Sequence, residues 1–372
     1  MSKGTVVTNE FAEYTDAYTG RKVTRLTSPE YMSHHPYFYY KMVTDDSRYL
    51  IYASDREGDG ARQLYKMDLH DGTAVQLTEG GGVHDFSCSL TSDDKHLIFC
   101  RDQRVIRMDL ASLSEETIYE TPAGWQANAN PGLSPDDRYL VLTEMNERDV
   151  VPERGDWSTF EPQWAARPHC RIVYVDIERR TSHVVHEEPH CWLGHPQIRP
   201  GDPSTILFCH EGPWNRIDAR LWLIQADGSN MRCAKPQTHE ELITHEYWLA
   251  DGSRFAFVYR HHEQGLKESI RFIDPATLKE EIWMECSKYC HFISNRDHTF
   301  IVGDGQLPEE HFIYLVDVQK RTEEKLCSHG TSWKGYGNTQ DAHPHPSFAP
   351  DSSFVIFTSD REGMPCIYRA EL

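Results

Sequence analysis

Positive charge is what this chain of 372 residues has least of. Its 38 Lys and Arg stand against 58 Asp and Glu, a formal net charge of −20. Nucleic acids and anionic membrane surfaces are bound through clustered Lys and Arg that release counterions, so neither is an expected partner. An anionic substrate would be accepted only where local cations overcome the general field. Long hydrophobic runs are missing too. No stretch approaches the roughly 18 apolar residues of a membrane helix. The opening "MSKGTVVTNEFAEYTDAYTG" is polar and acidic, without the apolar centre of a signal peptide. The third absence is a cysteine framework. Ten cysteines are scattered along the chain, and the closest pair, Cys286 and Cys290 in "CSKYC", has no second pair to complete a zinc site. These absences predict a cytoplasmic protein with reduced thiols.

What is present is a repeat. An acidic or Gly turn followed by an alternating apolar strand occurs as "TDDSRYLIYAS" from Thr44, "TSDDKHLIFCR" from Thr91, "SPDDRYLVLTE" from Ser134 and "RPGDPSTILFCH" from Arg199. It returns as "LADGSRFAFVYR" from Leu249, "SNRDHTFIVGDG" from Ser294 and "APDSSFVIFTSD" from Ala349. Most copies continue into a second strand and a further short β stretch. Seven copies about 45–50 residues apart, with period-two strands and DG or DD turns, predict an all-β protein, a seven-bladed β-propeller. The last copy ends at "CIYRAEL" without an outer strand, and the first is preceded by the orphan "TGRKVTRLTS". The expected solution is a ring closed by an N-terminal strand completing the C-terminal blade, which removes exposed edges. "SDREG", present at Ser54 and again at Ser359, marks equivalent positions in neighbouring blades. The reading is one domain over residues 1–372, with an insertion in the third blade at about 146–170 whose Trp157, Phe160 and Trp164 are expected over a channel mouth.

The innermost strand of a propeller blade lines the central channel, and here it lies just before the acidic turn. Six residues before the turn residues Gly201, Asp251, Asp297 and Asp351 stand His195, His245, His291 and His345; the third and second blades carry Asn130 and Ser87 there. A lone buried imidazole is ordinarily a hydrogen-bonded core residue. Four in one register are not accounted for that way. In "QDAHPHPSFAPD", alternation along a strand puts His343 and His345 on one face, roughly 7 Å apart. Pro344 and Pro346 lack N–H donors and are expected on the unpaired inner edge. With Gln340 three residues upstream of His343, and His291 from the preceding blade, three imidazoles and an amide oxygen form a candidate site for a divalent transition metal. Ligand type alone does not name the ion.

These motifs, "QDAHPHPSF", "CHEGPW" (Cys209–Trp214), "DARLWLI" (Asp218–Ile224), "THEYWLADG" (Thr244–Gly252), "CHFISNRD" (Cys290–Asp297) and "SDREG", together resemble the oligogalacturonate lyase family over nearly the whole chain. The resemblance implies a cytoplasmic seven-bladed propeller that cleaves short, saturated or unsaturated oligogalacturonides, digalacturonate especially. It implies β-elimination with manganese, giving 5-keto-4-deoxyuronate-type monosaccharides in pectin degradation. Carried over to this sequence, the metal ligands are His291, Gln340, His343 and His345, the catalytic base is His245 and the catalytic arginine is Arg220. The chemistry requires such parts. Removal of the C5 proton of a uronate needs a cation at the developing enolate-like carboxylate and a base that is neutral near pH 7. His195 shares the channel register and is a candidate ligand for a carboxylate or the leaving O4; Trp214 is a candidate to stack on a sugar face.

A non-catalytic propeller, a binding or scaffold module of the periplasmic type, shares the strand pattern but has no reason to hold the histidine register. The propeller half of a serine peptidase requires G-x-S-x-G, and "GTSWKG" at Gly330 has the wrong spacing. A glycoside hydrolase requires a carboxylate pair, which 58 acidic residues do not exclude. Oligomeric state is not legible in the sequence.

Overall fold

A computed structural model describes the chain apart from residues 59, 264–267 and 308 and the side chains of residues 128 and 129. The strands form seven antiparallel sheets, five of four strands and two of five. The fold is a seven-bladed β-propeller. The two larger sheets hold the N-terminus. Lys22–Arg25 pairs with the C-terminal strand Cys366–Glu371, and Ala12–Thr15 adds outside it. Val6–Thr8 borders the first blade along Thr73–Gln76. The orphan segment thus completes the last blade, as its pattern predicts.

The repeated turn has a local cause. In "TSDD", the Thr91 hydroxyl donates to Asp93 Oδ1 at 2.8 Å and accepts from the His96 amide at 3.0 Å. Ser134 repeats this with Asp136 at 2.6 Å and Tyr139 at 2.8 Å. The fourth turn residue takes a left-handed conformation, as at Ser47, Asp94, Asp137 and Ser352, with φ between 56° and 60°. Alternation then sorts the apolar side chains. Leu50 and Tyr52 of the first blade pack with Ile356 and Ile367 of the seventh, whereas Ile51 and Ala53 pack with Leu97 and Phe99 of the second. The first blade therefore buries both faces, and each fully buried Leu, Ile or Phe there contributes about 1.5–3 kcal/mol.

By its contacts the chain divides into two compact units, Met1–Thr117 with Lys288–Leu372, and Ile118–Ser287. In the second unit, the long connection after Tyr139–Asn146 carries two 3₁₀ turns and the helix Phe160–Ala165. Phe160 packs on Trp192 of the fourth blade, and Trp164 lies where a side chain at Gly212 would stand. Trp157 is exposed. The insertion is thus fastened to the fourth blade by two of its three large aromatics. The ten cysteines form no disulfide. Among the described residues, no helix is long and apolar enough to cross a membrane.

Candidate active site

In the first unit, His291, His343 and His345 offer ring nitrogens that lie within 4.8 Å of one another, all three residues buried. His291 comes from the strand Tyr289–Ser294 of the sixth blade, the other two from the segment entering the seventh. The expected strand through "HPHP" is not there. Only Ser347–Phe348 joins the ladder, because the two prolines supply no N–H to extend it. Instead, the Thr358 amide donates to Pro344 O at 2.9 Å, and His345 turns to φ 46°. The imidazoles therefore converge through a kink and not through strand alternation; their ring centroids are 5.6 Å apart.

The same device recurs. Register shifts interrupt the inner strands between Gly194 and Gln197, Thr244 and Tyr247, and Tyr289 and Phe292, spanning His195, His245 and His291. His195 and His245 have φ of 47° and 54°. Non-glycine residues in this region cost on the order of 1 kcal/mol each, and bulges re-aim side chains. The register counted in the sequence is a register of bulges.

Hydrogen bonding fits the cluster to a cation. His291 Nδ1 meets Asp304 Oδ2 at 2.8 Å, the His291 amide donates to Asp304 Oδ1 at 2.6 Å, and Nε2 lies 3.8 Å from Cys290 Sγ; a cation would be bound through Nε2, on the ring side away from Asp304. Burial alone would lower the His291 pKa; the Cys290 sulfur and the Asp304 carboxylate reverse that and hold it up to about 10, so a metal ion bound there would displace the proton on this ring. Burial, and then the proximity of His291, push His343 down to about 3, so it stays in the neutral, ligating form. The carbonyl of Gln340 accepts from the His343 amide at 3.0 Å. Its side-chain Oε1 is buried and accepts no hydrogen bond from the described residues, a costly condition that a bound cation would relieve.

The second unit holds the remaining candidates. Arg220 is buried, its Nε donating to Glu246 Oε2 at 3.0 Å and its Nη1 paired with Glu211 Oε1. Two carboxylates, Glu246 buried and Glu211 largely so, offset its charge locally. Burial would raise the Glu211 pKa, but Arg220 and His195 hold it below the usual carboxylate range. His195 Nε2 lies 3.9 Å from Glu211 Oε1. His245 immediately precedes Glu246 on the strand Glu241–Trp248. Trp214 stacks on His262, centroids 3.9 Å apart, so one face of the indole is already covered.

The model of the oligogalacturonate lyase family matches residues 1–372. The chain belongs to this family of enzymes. It is 36% identical to the oligogalacturonide lyase of Pectobacterium atrosepticum and 35% identical to the oligogalacturonate lyase of Dickeya dadantii, covering all of this chain and 98% of each relative. A solved oligogalacturonate lyase in complex with manganese superposes with a TM-score of 0.94 at 40% identity, over 100% of this chain and 98% of the other.

Several supporting residues of this lyase-family chain carry no sequence signal of their own. His35 Nε2 lies 3.1 Å from Pro344 O, inside the kink. Arg62 pairs with Asp341, next to Gln340, at 2.7 Å and with Asp85 at 2.9 Å; His34 Nε2 meets the same Asp85 oxygen at 2.9 Å. Tyr37 and Phe38 pack on the imidazoles, with centroids 4.9 Å from His345 and 5.6 Å from His291. "HHPYFYY" was the available cue, but the inner strand of the first blade is only Ser33–His34, so counting back from its turn does not reach the histidines.

Proposed function

We propose that the protein cleaves short oligogalacturonides, digalacturonate especially, by β-elimination, and releases 5-keto-4-deoxyuronate-type monosaccharides during pectin degradation. The observation that carries this reading is the convergence of three buried imidazoles, with Gln340 three residues before His343 on the same segment. His291, His343, His345 and Gln340 are the residues that would hold a divalent ion, most simply manganese, which the solved relative contains. Such an ion, when bound, supplies a Lewis acid for the uronate carboxylate.

The chain's own groups divide the remaining work. His245 takes the C5 proton as a neutral imidazole. Arg220 is pinned by Glu211 and Glu246 yet keeps N–H donors beyond the two engaged there, since a guanidinium has five. Its role in this reading is a fixed donor to the reacting uronate, not a bulk source of positive charge. His195 faces the leaving O4 or a second carboxylate. Ten thiols without a disulfide support a cytoplasmic setting.

The test is ultraviolet absorbance or a keto-acid colour assay on di- and trigalacturonate. Chelation should abolish product formation, and manganese should restore it better than magnesium. Turnover by the metal-free chain would rule out the Lewis-acid role. His245→Ala should lose most turnover while binding manganese as wild type does. An equally active variant would remove His245 from the mechanism.

A further inference from the structure

Beside the imidazole cluster, the first unit has a cleft of about 360 Å³, lined by Gln306, Leu307, His311, Thr331 and Trp333 among others. This is near the lower end of ligand-site volumes, which start at about 300 Å³. Trp333 belongs both to the cleft and to the cluster: its ring centroid is 4.9 Å from His343 and 6.5 Å from His291. A ligand held at the imidazoles therefore needs to extend by only one unit to reach the cleft.

The wall is built to hold its shape. Trp333 has φ 61°, a conformation rare for a bulky residue and retained only when its surroundings enforce it. The enforcement is visible on both sides. Thr331 donates to the carbonyl of Ala342, next to His343, and lies 3.1 Å from Asp360 Oδ1. The Ser332 amide donates to the same carboxylate at 2.7 Å. Further along, the Tyr336 and Asn338 amides both donate to Asp341 Oδ2 at 2.8 Å. A half-buried indole is thus held on a loop fastened by two carboxylates. Around it stand an amide, an imidazole and a hydroxyl-bearing segment, groups that match a sugar's hydroxyls and carboxylate.

We infer that this cleft is a sugar subsite: it takes the uronate adjacent to the one gripped at the imidazoles, its apolar face against the Trp333 indole and its polar rim toward Gln306 and His311. The inference rests on the proposed oligogalacturonide reading.

The test uses the full, manganese-loaded chain and three variants, Trp333→Ala, Trp333→Phe and His311→Ala. Manganese affinity and digalacturonate affinity are read by calorimetry, and KM is read where turnover occurs. Trp333→Ala should weaken digalacturonate binding about tenfold, in line with the loss of one aromatic stacking partner, with manganese affinity within about twofold of wild type. Trp333→Phe should recover most of the loss. His311→Ala, farther from the imidazoles, should also weaken the disaccharide while sparing the metal. Unchanged disaccharide affinity in Trp333→Ala and His311→Ala overturns the subsite. So does a loss of manganese binding that fully accounts for the loss of sugar, because Trp333 would then merely shield the imidazoles. A wild-type chain that binds digalacturonate without cleaving it overturns the lyase reading alone, and the calorimetric comparison still decides the cleft.

Discussion

At the scale of single residues, the buried acids matter as much as the histidines they orient. Asp304 fixes His291 through both the ring Nδ1 and the backbone amide. Asp304→Asn keeps an oxygen for the amide but removes the carboxylate that favours the Nε2-ligating tautomer. Manganese affinity should fall about 10- to 100-fold with the fold intact; unchanged affinity by calorimetry would take His291 out of the ligand set. His329 shows a second kind of constraint. Its Nε2 lies 2.9 Å from Gly305 O and its Nδ1 accepts from the Thr331 amide at 3.1 Å, so both ring nitrogens are satisfied only in the neutral form. Burial pushes its pKa down to about 4. Above pH 6.5 the ring is neutral folded or unfolded, and pH has no effect through it. Between about 6.5 and 4 the unfolded chain binds a proton that the native one refuses, so stability falls as pH falls, by at most about 3 kcal/mol. Urea midpoints measured from pH 7 to 4 should drop more steeply for wild type than for His329→Gln. Parallel curves would show that the ring titrates freely in the native state.

At the scale of strands and turns, what the sequence made legible depended on whether the cause was local. The turns at Thr44, Thr91 and Ser134 close on themselves through one hydroxyl, and the acidic or Gly turns of the other four copies precede the same apolar strand, so seven copies could be counted and the blades placed. The missing outer strand was legible for a similar reason: an unfilled edge in "CIYRAEL" and an orphan apolar segment fit each other. The kink at His345 was not legible, because strand alternation assumes an unbroken ladder, and Pro344, Pro346 and a left-handed residue between them break it. Nor were Glu211, Glu246 and Asp304, since only tertiary packing distinguishes one largely buried and two fully buried carboxylates from 58 acidic residues. Strand closure carries its own prediction. Val23 and Leu26 are fully buried against the first, sixth and seventh blades. Deleting the residues before Thr27 should cost at least about 3 kcal/mol in urea unfolding and leave Cys366–Glu371 with an open edge that aggregates. A soluble truncated chain of equal stability would mean that the N-terminal strands only decorate the last blade.

At the scale of the whole molecule, the dominant fact is charge. A single dication changes the formal −20 only to −18 (−20 + 2), and Arg220 brings two carboxylates with it. An oligogalacturonide carries one negative charge per sugar, so its approach is opposed over distances of a Debye length, about 10 Å at 0.1 M salt. Contacts at a partly buried site such as that around Arg220 are screened much less. Salt should therefore remove more of the repulsion than of the attraction. Raising sodium chloride from about 0.02 to 0.2 M, at saturating manganese, should raise kcat/KM through a lower KM while kcat stays flat. Trigalacturonate should respond more than digalacturonate, because its extra carboxylate meets the general field and not the residues proposed to hold the metal. If kcat/KM instead falls with salt, the local cations at His291, His343, His345 and Arg220 extend their field beyond the site. The acidic surface would then be a matter of solubility alone.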